Sequence, residues 1–516
     1  RSVSDTAPTS HREIERKLRV HGMFTMPDLA EAGIVSGVQK HDTFSMHAVY
    51  HDTDALTLFR WGITLRHRAG GGDEGWHMKL PVAGADGSTR DEMHLPLDAG
   101  PIGSVPGAFI EVVAPLLREQ PVRPVVTLST ERTPYIVTNV EGRSIAEIVD
   151  DIVSVIHEGR VISVFREIEI EALDSQDAEA LDALEAVVSF LVSEGAEPSS
   201  VSKAASALGP RTSAPPDVPD LPTPGKNDLA VDAIRAVFSQ HVRHLLMADV
   251  GVRRDLPDSV HQMRVAARRL RSAFATFSPL LEPEESEALR EELKWIANEL
   301  GGIRDTEVML ARLDEHAGEL ANSIDTSRAR AAIDPLLNRR LAAARSSALA
   351  ALRSDRHQQL VDDLISAAIE PPVTDLAYQP CADVLLPLVA RTWRKLDRAI
   401  TALDLASESE PWHAARIKAK RARYAAESVS GVFGRRMEKF ADRLADVTEL
   451  LGDHQDAHVA QTIIRELAAH AETDGVTGMS LGLLYEYESE EEILDRLRFV
   501  AMWPKARRAA RRVGMI

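Results

Sequence analysis

The stretch Gly209 to Asn227, GPRTSAPPDVPDLPTPGKN, carries six prolines in nineteen residues. Proline removes backbone donors and disfavours helix at the residue before it, so neither a helix nor a sheet can run through this stretch. It reads as an extended linker, and the 516-residue chain must fold as separate bodies on either side of it. The two sides differ in pattern. Upstream, short segments alternate apolar and polar residues between Gly, Asp and Pro, which is the β signature, and one helix near Gln176 to Glu194 closes that half. Downstream, Ala, Leu, Arg and Glu recur at helical spacing with few Gly or Pro. The fold class is therefore α+β and multidomain.

Charge separates the two sides as well. Residues 1–208 hold 18 Lys and Arg against 32 Asp and Glu, and residues 228–516 hold 40 against 45. The first part has carboxylates to spare, which metal cations could offset. The net charge of −19 argues against general affinity for DNA or an anionic membrane. A single cysteine, Cys381, rules out an intramolecular disulfide framework and a cysteine zinc cluster, and fits a reducing compartment. No apolar stretch approaches the roughly 18–20 residues of a membrane helix. Arg1 to Ser10 is polar, without the apolar core of a secretory signal.

In the β half, charged residues sit where strand alternation groups them on one face. In REIERKLRV, Glu13, Glu15, Lys17 and Arg19 share a face, while Ile14, Leu18 and Val20 take the other, interrupted by Arg16. In FREIEIE, Glu167, Glu169 and Glu171 oppose Ile168 and Ile170. Like charges two apart repel unless something lies between them, and a divalent cation prefers carboxylate oxygen. Arg66 and Arg68 alternate with Leu65 and His67, Lys79 with Met78 and Leu80, and Arg90, Glu92 and His94 share a face. Arg132 stands alone in TLSTERTPY. Solvated faces would account for any one strand. Together they suggest a closed barrel with a polar lumen, where carboxylates hold metal and Arg and Lys hold a polyphosphate-like anion.

The helical half repeats itself. His261-Gln-Met-Arg264-Val-Ala-Ala-Arg268-Arg269-Leu-Arg271 matches His413-Ala-Ala-Arg416-Ile-Lys418-Ala-Lys420-Arg421-Ala-Arg423. Further on, Leu300-Gly301-Gly-Ile-Arg304-Asp305 matches Leu451-Gly452-Asp-His-Gln455-Asp456. The matches are in order and at nearly one offset, so two related helical bundles are expected. On a wheel of about 100° per residue, Arg264, Arg268 and Arg271 fall within about 80° of His261 on one side. Arg269 lies on the other flank, and Met263, Leu270, Phe274 and Phe277 lie opposite. The second copy places His413, Arg416, Lys420 and Arg423 in the same wedge. Such spacing of like charges costs helix stability. The pattern repeats and the wedge lacks compensating acids, which points to a bound anion. Inorganic polyphosphate ranks above nucleic acid, because aromatics for base stacking are scarce and the total charge is negative.

Glu13-Ile-Glu15-Arg-Lys17 resembles the ExExK signature of the CYTH domain, the triphosphate tunnel metalloenzymes. Tyr50-His-Asp52-Thr53, Leu65-Arg66-His-Arg68, Met78-Lys79, Arg90-Asp-Glu92, Glu167-Ile-Glu169-Ile-Glu171 and Ser202-Lys203 follow in that family's order. The resemblance spans residues 10–208, after an N-terminal tail 1–9, and implies an antiparallel eight-stranded β tunnel that acts on triphosphates with Mg²⁺ or Mn²⁺. It implies metal binding by Glu13, Glu15, Glu167 and Glu169. It implies phosphate contacts from Lys17, Arg66, Arg68 and Lys79 at the reacting group, and from Arg132, Lys203 and Arg90 along the substrate. Asp151 is a further candidate acid, and His94 departs from the pattern, which expects an acidic or neutral residue. No GxxxxGK[ST] loop or Ser-His-Asp arrangement competes.

The repeated basic helix resembles the CHAD domain, the conserved-histidine α-helical family, over residues 228–516, beyond the linker 209–227. This implies two related four-helix bundles that bind polyphosphate through His261, Arg264, Arg268, Arg269 and Arg271, and through His413, Arg416, Lys420, Arg421 and Arg423. Lys420 replaces the first copy's Arg268, so the halves are expected to bind unequally, since arginine can bind phosphate bidentately. The expected protein is a cytoplasmic, metal-dependent hydrolase of inorganic triphosphate or a related triphosphate, joined to a polyphosphate-binding domain and associated with polyphosphate granules. Two alternatives stand beside it: a non-catalytic polyphosphate-docking protein, and a CYTH enzyme of other specificity, an adenylate cyclase or thiamine triphosphatase.

Overall fold

The computed structural model describes residues 8–33, 35–82, 84, 89–320, 327–469 and 475–515, and most of the expected tail, residues 1–7, lies outside them. The chain forms two compact units, Arg1–Asp217 and Val218–Ile516.

The first unit contains strands β1 (Thr9–Val20), β2 (Gly37–Lys40), β3 (Phe44–Asp52), β4 (Thr64–Ala69), β5 (Gly75–Pro81), β6 (Thr89–Leu95), β7 (Arg123–Thr138), β8 (Ser144–His157), β9 (Arg160–Ala172) and β10 (Glu197–Ser199). Eight of them close an antiparallel ring in the order β1-β6-β5-β4-β3-β7-β8-β9, with β9 pairing back to β1. β2 extends the β7 edge and β10 the β1 edge. Closure removes the unpaired edges that an open sheet would carry. The apolar parity of β1, β8 and β9 faces outward, where Leu18, Ile148, Ile168 and Ile170 pack with Ala183, Leu184, Val187 and Leu191 of the helix Ala178–Ser193. Trp76, Met78 and Leu80 are likewise fully buried on the outer parity of β5, and the Trp76 indole donates to the Gly100 carbonyl. The charged parity therefore turns towards the interior of the ring, while the outer parity is buried where helices and loops cover it.

Part of the lumen is filled by an apolar plug. Ala48, Tyr50, Leu128, Val153 and Val155 meet Ala204 of the short helix Lys203–Leu208. Asp52, fully buried at the end of β3, accepts from the Thr53, Leu58 and Phe59 amides at 2.6, 2.9 and 2.9 Å. It caps the following turn, so its place in the sequence motif reflects folding.

The proline-rich stretch is not a free tether. Pro210–Ser213 forms a 3-10 turn, Arg60 Nε donates to the Pro215 carbonyl at 2.7 Å, and Arg118 pairs with Asp217 at 2.9 Å. Val218 is fully buried, and its carbonyl accepts from Arg243 at 2.7 Å. Proline lacks a donor, but carbonyls remain to accept, so each half of the stretch is tied to its own unit.

The second unit is all helix. Ala230–Arg253, Ser259–Thr276, Pro283–Glu299 and Asp355–Ile369 form one four-helix group, and Cys381–Thr401, Ser409–Phe433, Arg435–Ala469 and Gly475–Arg512 form the other. The halves differ in one respect. Arg435–Ala469 runs through the repeated Leu451-Gly452 segment without a break, whereas the first copy starts a new helix at Gly301. The hairpin Gly301–Leu320 and Ser327–Leu352 packs its Met309, Leu313, Ile333 and Leu337 against Ile464, Leu481 and Leu484 of the second half's long helices. Among the described residues no helix is long and apolar enough to cross a membrane.

Candidate active site and the basic helical surface

Strand parity and ring closure bring the charged residues to one cavity of about 870 Å³. Lys17 Nζ lies 3.2 Å from Glu15 and 3.0 Å from Glu169. Lys79 Nζ lies 2.5 Å from Glu13 and 3.9 Å from both Glu15 and Glu92. Arg132 holds Asp151 through two bonds of 2.8 and 2.6 Å, and reaches Glu169 at 3.0 Å. Arg66 approaches the Tyr50 hydroxyl at 3.5 Å and Glu92 at 3.6 Å. Lys203, at the start of its helix behind the Ser202 cap, touches Asp151, Glu167 and Glu169 at 3.0, 2.9 and 2.7 Å.

The electrostatics of this set are divided. Burial alone would raise the Glu169 carboxyl, but Lys17, Lys203 and Arg132 hold it well below its usual range. Lys17, Lys79 and Lys203 are held above their usual value by the acids around them, against burial. Glu13 goes the other way: burial outweighs Lys79 and raises it. Glu171 is pushed up to about 8 by burial and by Glu13. At this end of the cavity carboxylates are in excess, and an added cation would relieve them.

Several expected residues are placed differently from the sequence reading. Glu13, Glu15 and Glu169 line the cavity, whereas Glu167 sits behind Lys203 and does not. Glu171 does line it, as does Glu147, its register partner on β8. Parity alone groups Glu167, Glu169 and Glu171, but the helix that covers Glu167 comes from a distant segment. Arg68 lines the cavity yet is paired with Asp73 of the β4–β5 turn and donates to that residue's carbonyl at 2.8 Å. Arg90 lines the cavity and donates to the Gly62 carbonyl at 3.0 Å. Asp151 is fully buried as the shared partner of Arg132 and Lys203. Arg19 leaves the charged group, donating to Ser206 at 2.7 Å.

In the second unit the two repeated basic helices lie side by side, joined by Arg269 of the first and Glu427 of the second at 3.1 Å. Met263, Leu270, Phe274 and Phe277 are fully buried, as the wheel requires. The expectation that the wedge meets no acid needs correction. Asp305 lies 3.0 Å from Arg264, and Asp456 interacts with Arg416 and Lys420. Both acids belong to the second repeated segment, on neighbouring helices that a single wheel cannot show. Arg264 also donates to the Gly301 carbonyl at 3.2 Å, and Arg423 is paired with Glu427 at 2.6 Å. His413 bonds Gln455 at 2.6 Å, while burial and Arg304 lower the His261 pKa. Among the described residues, Arg268, Arg271, Arg416, Lys420 and Arg421 make no ion pair. Burial, then Arg416 and Arg268, pushes the Lys420 ammonium down to about 7. The two wedges thus form one basic patch, only partly offset by Asp305, Glu427 and Asp456.

A closed barrel with acids and bases in its lumen, followed by a duplicated helical unit that gathers bases, defines a tunnel protein fused to a basic helical domain. The CYTH domain profile matches residues 11–207 and the CHAD domain profile residues 236–465. The chain belongs to the CYTH–CHAD fusion proteins, and CYTH domains are tunnel metalloenzymes. It is 32% identical over 504 residues to an uncharacterized protein of Mycobacterium tuberculosis, covering 95% of each chain. Among solved structures, PptA from Streptomyces chartreusis is 26% identical, covering 54% of this chain and 100% of that one, with a TM-score of 0.48. The CHAD domain from the plant Ricinus communis is 25% identical over 55% of this chain and 93% of its own, with a TM-score of 0.45.

Proposed function

We propose that the tunnel hydrolyses inorganic triphosphate or a related triphosphate with Mg²⁺ or Mn²⁺, and that the helical domain binds long-chain polyphosphate. The observation that carries this reading is the convergence of Glu13, Glu15, Glu169 and Glu171 with Lys17, Arg66, Lys79 and Arg132 on one cavity. The donor set fits the metal: these are hard carboxylate oxygens, two of them on residues whose carboxyls are pushed up by burial. A bound divalent cation neutralises phosphate oxygens and lowers the pKa of a coordinated water. Lys17 and Lys79 neutralise Glu13, Glu15 and Glu169 and line the cavity, where their ammonium groups would meet phosphate oxygens. Arg66 and Arg132, fixed by Tyr50 and Asp151, hold the anion and stabilise charge on the leaving group. The side chains of Lys17, Lys79 and Arg132 and of their acid partners are largely buried, so these interactions are stronger than they would be in bulk water.

Polyphosphate binding by the helical domain is supported by the merged patch, where Arg268, Arg416 and Lys420 crowd one another without ion pairs. A phosphate-release screen over tripolyphosphate, thiamine triphosphate, ATP and long-chain polyphosphate, with Mg²⁺, Mn²⁺ or EDTA, tests the catalytic half. Tripolyphosphate should turn over fastest and EDTA should abolish turnover. Release that survives EDTA, or that is unchanged in Glu15→Gln at limiting metal, overturns the assignment.

A further inference from the structure

The polar side chains around the β4–β5 turn form a second group, which meets the cavity through Asp73 and Glu92. His77 on β5 and His94 on β6 are register partners, with ring centroids 4.8 Å apart. Asp73, in the turn before β5, offers its carboxylate to the same point, and one ligand atom from each of the three lies within 4.8 Å of the others. A four-coordinate ion with bonds of about 2.0–2.2 Å spaces its ligands about 3.3–3.6 Å apart. Asp73 Oδ1 already lies 3.9 Å from His77 Nε2, and its side chain is 64% exposed and so has room to move.

The hydrogen bonds around the rings favour metal ligation. His77 Nδ1 sits 2.8 Å from a Glu92 oxygen, and both side chains are almost fully buried. A carboxylate accepts, so Nδ1 carries the proton and Nε2 presents a lone pair. That lone pair faces the Asp73 carbonyl at 3.3 Å and the Asp73 carboxylate, both acceptors. Acceptors aimed at an acceptor are stabilised by a cation between them. A carboxylate holding the far nitrogen of a histidine is also the usual support for a metal-bound imidazole. His94 is held through the other nitrogen, its Nε2 lying 3.0 Å from the Glu74 carbonyl, and among the described residues its Nδ1 has no hydrogen-bond partner. Gly75 lets this ring in: a Cβ there would lie 2.5 Å from His94 Nε2 and 2.3 Å from the Leu95 carbonyl, and its φ of +144° suits glycine.

We infer that Asp73, His77 and His94 form a transition-metal site at the β4–β5 turn, built on residues other than Glu13, Glu15, Glu169 and Glu171. Two imidazoles and one carboxylate select borderline ions such as Zn²⁺, Co²⁺ or Ni²⁺ over Mg²⁺, which takes oxygen ligands. Asp73 also holds Arg68 of the cavity. The guanidinium takes Oδ2 and the ion would take Oδ1, so the shared carboxylate couples the site to the lumen. The inference does not depend on the tunnel being a hydrolase.

Co²⁺ titration of the full chain, followed by visible absorption in the presence of excess Mg²⁺, tests it. Wild type should develop the d–d bands of a nitrogen-ligated, low-coordinate Co²⁺ ion, and Zn²⁺ should displace them. His94→Gln and Asp73→Asn should each weaken Co²⁺ binding tenfold or more, since even outer-shell changes cost about 10–100-fold. Glu15→Gln should keep the bands. Absence of the bands, their survival in both His94→Gln and Asp73→Asn, or their loss in Glu15→Gln overturns the site. Because Asp73 is exposed, Asp73→Asn gives an answer even if His94→Gln folds poorly.

Discussion

Lys203→Ala should destabilise the barrel before it shows any effect on phosphate. The ammonium lies within 3.0 Å of Asp151, Glu167 and Glu169, and the side chain is 9% exposed. Truncation leaves Glu167 with no cation in ion-pair reach among the described residues, while Asp151 keeps Arg132, and Glu169 keeps Arg132 and Lys17. Removing one partner of a buried ion pair costs about 3–5 kcal/mol. In a unit of this size each kcal/mol moves Tm by about 2–4 °C, so its transition should fall by about 6–20 °C at pH 7.5. The sign with pH follows from Glu169, whose folded-state pKa is held well below the usual range. Such a group contributes stability that is fully present above its unfolded value, near pH 4.3, and is lost as pH falls through the folded value. The gap between wild type and variant should therefore be widest above about pH 5 and should close on acidification. Scanning calorimetry of the full chain at pH 7.5 and 4.5 reads both. A transition within about 2 °C of wild type at pH 7.5, or a gap that widens on acidification, refutes the reasoning.

Glu171, pushed up to about 8, should hold a proton near pH 7 and release it when a divalent cation binds. Calorimetric heats of Mn²⁺ binding should then depend on the buffer's ionisation enthalpy, and Glu171→Gln should lose that dependence. Its raised pKa also means that its contribution to stability declines as pH rises from about 4.3 towards 8. Arg66→Ala should raise KM or lower kcat for tripolyphosphate by tenfold or more, with Arg143→Ala as the surface control; equal behaviour would place Arg66 outside the substrate's reach. Replacing Arg268, Arg416 and Lys420 with Ala should weaken polyphosphate binding and flatten its salt dependence, because fewer counterions are released. With the Lys420 ammonium pushed down to about 7, affinity should fall between pH 6 and 8, and Lys420→Arg should remove that fall. An unchanged pH profile in the Arg variant counts against Lys420 as a contact.

Much of the barrel was legible in the sequence because a strand writes its two faces into alternate positions. Glu13, Glu15 and Lys17 on β1, and Arg66 and Arg68 on β4, could be assigned to one face from parity alone. The helical repeat was equally plain, because two copies of His-x-x-Arg-x-x-x-[Arg/Lys] carry the same wheel. Depth along a face was not legible. Glu167, Glu169 and Glu171 share a parity, yet Lys203 covers the first, and burial, then Glu13, presses the last upward. The balance of charge was not legible either. The helix of Arg264 shows bases alone, and Asp305 reaches it from another helix.

The sequence by itself determined which residues can share a strand or helix face, where the chain divides and that one half is duplicated, since these follow from the local geometry of the backbone. Only the tertiary structure decided which charges meet. It closes the sheet so that the charged parity turns inward, and it pairs Arg132 with Asp151 and Lys203 with three acids. It also merges two basic wedges into one patch. Those pairings join segments far apart in the chain, and Coulomb energy depends on distance and dielectric, neither of which a local pattern contains.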